Sequence, residues 1–110
     1  MAEDFEFRGK RVKCQIVEEG KNYKTILIHF EIPDVLHHGF LMKRGEKIVA
    51  KGELAKKIRD QNIDGVEMVV APPADTNAIL MMRINRDEKE ILDKILPIVY
   101  DFLKEKGFIE

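Results

Sequence analysis

The chain has 110 residues, 45% hydrophobic and 35% charged, with a net charge of −1. It is apolar enough to bury a core without metal or disulfides, so the chain is globular rather than disordered. A lone cysteine, Cys14, and a complete lack of serine remove any internal disulfide and the commonest hydroxyl nucleophile.

The charge is uneven. Residues 1–7 carry −3, residues 8–59 carry thirteen Lys and Arg against six Asp and Glu, and residues 60–110 carry six against eleven. The start, MAEDFEF, lacks the basic and apolar regions of a signal peptide, and no apolar run approaches a membrane span. With an unpaired cysteine, this sets a cytoplasmic location as the expectation. Abundant Lys, Glu and Ile beside only two glutamines resemble the composition of thermophile proteins.

Residues 1–7 are expected to be a flexible acidic N-terminus to one α+β domain spanning 1–110. RVKCQIVEEGKNYKTILIHFEIP then predicts a hairpin. Val12, Cys14 and Ile16 alternate with Lys13, Gln15 and Val17, EEGKN supplies the turn, and Ile26, Ile28, Phe30 and Ile32 share one face. Pro33 ends the second strand because it cannot donate to a ladder. In PDVLHHGF, Asp34 and Gly39 frame one helical turn. Extended structure is expected at Phe40–Met42 and Lys47–Ala50, about a turn at Arg44–Gly45. ELAKKIRDQNI predicts a short helix with Leu54, Ala55 and Ile58 inward and Gly65 at its exit.

VEMVVAPPADTNAILMMRIN predicts a second hairpin. Its final strand is apolar on both faces, with Ala78, Leu80, Met82 and Ile84 on one and Ile79 and Met81 on the other. The last helix opens on a capping-box-like Asn85 and Glu88. Its apolar stripe runs from Ile91 to Leu103, Pro97 kinks it, and Gly107 closes it with Phe108 folding back. The order ββ(β or ββ)αββα predicts an antiparallel sheet of about four to six strands. Its helices pack on one face, and the C-terminal one is long and kinked.

Chemistry is sparse. His29, His37 and His38 with Cys14 are the nitrogen and sulfur candidates for a metal, but no spacing among them matches a ligand motif. Adjacent histidines on a strand point to opposite faces. No cofactor motif is present, and an enzyme would have to combine these histidines with carboxylates in space. The strongest positive feature is basic. Lys43, Arg44, Lys47, Lys51, Lys56, Lys57 and Arg59 follow one another, and Arg8, Lys10, Arg11 and Lys13 form a second cluster. Gly52 would leave helix amides free for a phosphate. Nucleic acid or a phosphorylated ligand is the partner such a surface would take, unless it is only a solvated face. Surplus apolar residues out of phase with the core, Val17, Leu27, Val69, Ile79 and Met81, predict an exposed apolar patch and a homo-oligomer formed through it. The leading expectation is a non-catalytic binding or assembly module.

Overall fold

Hairpins dominate the architecture. In a computed structural model, which describes residues 2–33, 39–71 and 77–107, nine elements follow in order. They are β1 (Ala2–Phe7), β2 (Lys10–Glu19), β3 (Lys24–Pro33), β4 (Gly39–Arg44), β5 (Lys47–Lys51), α1 (Glu53–Asp60), β6 (Val66–Ala71), β7 (Asn77–Ile84) and α2 (Glu88–Glu105). The strands form one seven-stranded sheet, β1-β2-β3-β7-β6-β4-β5, with every pair antiparallel. The α+β class and the long C-terminal helix agree with the sequence, but the strand count exceeds the expected range.

The largest difference lies at the start of the chain. Ala2–Phe7, within the stretch expected as a flexible tail, form the edge strand β1. Arg8 and Gly9 join it to β2 with φ of 52° and 77°. Both residues are left-handed, as a type I′ hairpin turn requires. Arg-Gly is a weaker turn signal than Asn-Gly, and Glu3, Asp4 and Glu6 are residue types depleted in strands. Phe5 and Phe7 alternate with Glu6 and pack their rings against the core. The β4–β5 turn is Gly45–Glu46, one residue later than expected, with Gly45 at φ 64°.

The core lies between one face of the sheet and both helices. Val12, Cys14, Ile26, Ile28, Leu41, Leu80, Met82 and Ile84 come from the strands. Leu54, Ala55 and Ile58 come from α1, and Ile91, Leu92, Ile95, Leu96, Val99, Tyr100, Phe102 and Leu103 from α2. Each fully buried aliphatic side chain contributes about 1.5–3 kcal/mol of transfer free energy. The α2 helix runs unbroken through Pro97. Its N-cap is Asp87 rather than Asn85. Asn85 instead donates to Glu67 Oε1 at 3.1 Å, and Glu88 accepts from Lys24 Nζ at 2.9 Å. Gly107 takes φ 81° just past the helix, as expected of a C′ residue. Phe108 lies outside the described residues, as does the Asp34–His38 turn.

Candidate functional site: the open face of the sheet

Both helices share one core with the strands, so side chains of opposite phase point away from them. Strand pairing lines these up in rows. The first row crosses six strands as Gln15, Leu27, Met81, Val70, Phe40 and Lys51. The second crosses five as Thr25, Arg83, Met68, Met42 and Val49. Leu27, Phe40, Met42, Met68, Val70 and Met81 are half-buried, while Val49 is 47% exposed. The result is an apolar band centred on β7, the fourth strand of seven.

Local sequence explains the band. Met81 and Leu27 stand opposite each other, and both alternate with fully buried neighbours, Leu80 and Met82, Ile26 and Ile28. A strand apolar on both faces needs cover on both. In β6 the register shifts between Val66 and Met68. That bulge lets Val66 and Val69 both enter the core, and Val69 is only 2% exposed. Val69, one of the expected patch residues, therefore belongs to the helix side. Met68 and Val70 take its place on the open face. A second shift between Ile16 and Glu18 leaves Val17 at a bulge, 47% exposed, at the far end of β2. Ile79 is described by its backbone pairing with His29.

Three methionines suit the band to contact with another surface, since thioether side chains adapt their shape and remain polarisable. Sequence reasoning missed Phe40, Met42, Val49, Met68 and Val70. The alternation of Met42 with Leu41 and of Val49 with Ile48 and Ala50 was the available signal.

Period-two alternation also divides the basic residues. Arg11, Lys13, Arg44, Lys47 and Lys51 lie in the open-face phase of β2, β4 and β5. The others sit on the helix side or on α1. Arg8 donates to Asp101 at 2.7 Å and stacks on Phe7. Lys10 stands opposite Phe7, and Lys43 opposite Ile48. Lys57 pairs with Glu105 at 2.7 Å and Arg59 with Asp60 at 3.1 Å, while Lys56 is exposed on α1. The stretch 43–59 is therefore divided between the open face, the helix side and α1. Gly52 does precede α1, but Glu53 occupies the first turn and its carboxylate receives Lys106 at 2.8 Å.

Proton chemistry is muted. Burial, then the nearby charges of Glu88 and Glu3, push the Cys14 thiol up to about 11, which keeps it protonated and poorly nucleophilic at neutral pH. The hydrogen bond from Lys24 holds the Glu88 carboxyl below its usual range, and the same bond raises Lys24. His29 is half-buried between its register neighbours Lys13 and Ile79. His37 and His38 lie outside the described residues. Among the described residues, no three His, Cys, Asp or Glu side chains gather as metal ligands. No described helix is long and apolar enough to cross a membrane.

Two open clefts flank α2. One, of about 710 Å³, lies between the β2–β3 turn and the helix start and mixes Glu19, Lys21 and Tyr23 with Arg86 and Asp87. The other, of about 680 Å³, runs beside Asn62, Asp64, Asp93 and Pro97. Neither lining contains a histidine or a cysteine. Compared with known proteins, the chain matches no family model, no curated protein and no solved structure.

Proposed function

We propose that this chain is a non-catalytic cytoplasmic assembly module that associates with further copies of itself through the open face of its sheet. One observation carries the reading: the apolar band of Leu27, Met81, Val70 and Phe40, with Met68, Met42 and Val49 beside it, lies opposite the face that both helices cover. Contiguous apolar surface of this kind marks a binding face. A second copy supports it by shape. Two sheets of the same right-handed twist nest when their strands run nearly along one another, as in a sandwich. The cytoplasmic placement rests on a buried, unpaired Cys14.

The test is Met81→Arg, which sets a charge at the centre of the band. Light scattering at micromolar concentration should show a dimer or larger species for the native chain. The variant should associate about a hundredfold more weakly. A native monomer, or a variant that assembles unchanged, overturns the proposal.

A second reading is favoured by the open-face cations of the β4–β5 hairpin, where Lys51 stands opposite Phe40 and Arg44 stands opposite Lys47 at the other end. A cationic margin beside an aromatic ring suits single-stranded nucleic acid. It predicts binding that weakens steeply with salt and is lost in K47E/K51E. Absence of a gel shift at low salt removes it.

A further inference from the structure

The two margins of the sheet differ from its face. Among the described residues, β1 and β5 each pair on one side only, so each presents a row of backbone donors and acceptors unpaired by another described strand. Their charges are opposite. The β1 sequence is AEDFEF and the β5 sequence is KIVAK.

The side chains also match by face. On the open side, β1 presents Asp4 and Glu6, and β5 presents Lys47 and Lys51. On the helix side, β1 presents Phe5 and Phe7, and β5 presents Ile48 and Ala50. All four are half-buried at the margins of the core. Because seven antiparallel strands alternate in direction, β1 and β5 run the same way.

We propose that the β5 edge of one copy receives the β1 edge of the next, in parallel, so that the sheet continues from copy to copy. With open faces on the same side and Phe5 and Phe7 beside Ile48 and Ala50, Asp4 falls beside Lys47, and Glu6 falls beside Val49, diagonal to both Lys47 and Lys51. Direct cross-strand neighbours lie about 5 Å apart and diagonal ones about 7–8 Å, within reach of long side chains, so opposite charges and apolar pairs both stabilise. Like edges cannot join in this way: β1 against β1 opposes carboxylates, and β5 against β5 opposes ammonium groups. The charges thus exclude the symmetric pairings and leave the head-to-tail one. A head-to-tail contact leaves one free edge of each kind at the ends, so it builds an open chain, or a ring where the twist closes. This contact runs along the strand edges rather than across the apolar band, and does not depend on the open-face interface.

The experiment is run in the Met81→Arg background, so that the open face contributes nothing. Three proteins are compared by light scattering at low salt: the parent, a β1-reversed variant D4K/E6K and a β5-reversed variant K47E/K51E. All four positions are exposed, and circular dichroism confirms that each variant is folded. The parent should form chains longer than a dimer that shorten with added salt. Each variant alone should associate about tenfold more weakly or less. An equimolar mixture of the two, or D4K/E6K/K47E/K51E in one chain, should restore the chains, because the opposed signs are restored. A parent that stays monomeric, or a mixture no larger than its separate components, overturns the proposal and leaves the edge charges as guards against pairing. The open-face reading stands or falls separately, on the effect of Met81→Arg at high salt, where the charged edge contact is screened and the apolar one is not.

Discussion

The two faces of the sheet are built from the same strands, yet they are chemically unlike. On the helix side, Ile26, Ile28, Leu80, Ile84, Ile91 and Ile95 are fully buried. They are mostly β-branched residues with few rotamers, suited to a fixed packing. On the open side, Met42, Met68 and Met81 lie among Leu27, Val70 and Phe40, all half-buried, with charged residues at the margins. The contrast separates two jobs. One face holds the monomer together and the other is available for contact, so stability and assembly should respond to different substitutions.

The largest effect should come from the helix side. Leu80→Ala removes a fully buried side chain at the centre of the sheet and should cost about 2–5 kcal/mol in denaturant unfolding. A loss within the range of surface substitutions would break the distinction between the faces.

Next is the polar margin of the same face, where Glu88 is 6% exposed and pairs with Lys24. Glu88→Gln should cost roughly 1.5–3 kcal/mol at neutral pH. Folding lowers the Glu88 pKa, so its contribution is present above the ordinary value of 4.5 and is lost as pH falls through the lower folded value. Folding raises the Lys24 pKa, so its contribution is present below 10.5 and is lost as pH rises through the higher folded value. The difference between native and Glu88→Gln stability should therefore be widest between these limits and shrink in acid. A difference independent of pH would deny the pair its role.

The smallest effect on the monomer should come from the open side. Leu27→Ala should change monomer stability by less than about 1 kcal/mol while weakening self-association. If Leu27→Ala proved as costly as Leu80→Ala, the open face would be acting as a second core.

Much of this contrast is legible in the sequence. Alternation in β2 and β3, the stripes of α1 and α2, and the two-sided apolar run of β7 all follow from side-chain period. Leu27 and Met81 are recognisable as surplus to the core for the same reason. Three features are not legible, each for a local physical cause. The first is β1, whose turn depends on Arg8 adopting a left-handed conformation that nothing in its side chain advertises. The second is the phase of β6, where one bulged residue exchanges Val69 for Met68 and Val70. The third is the division of the basic stretch. A run of lysines and arginines looks continuous along the chain, but strand alternation sends Lys43 and Arg44 to opposite faces.

Methionine oxidation tests the central claim most directly, without any substitution. Peroxide converts accessible methionines to sulfoxides. Met42, Met68 and Met81 report on the open face, and fully buried Met82 is an internal control on the helix side. If the open face is an assembly interface, oxidation of Met42, Met68 and Met81 should slow together as protein concentration rises through the micromolar range, while Met82 stays slow throughout. Oxidation of these three at a rate independent of protein concentration would contradict it.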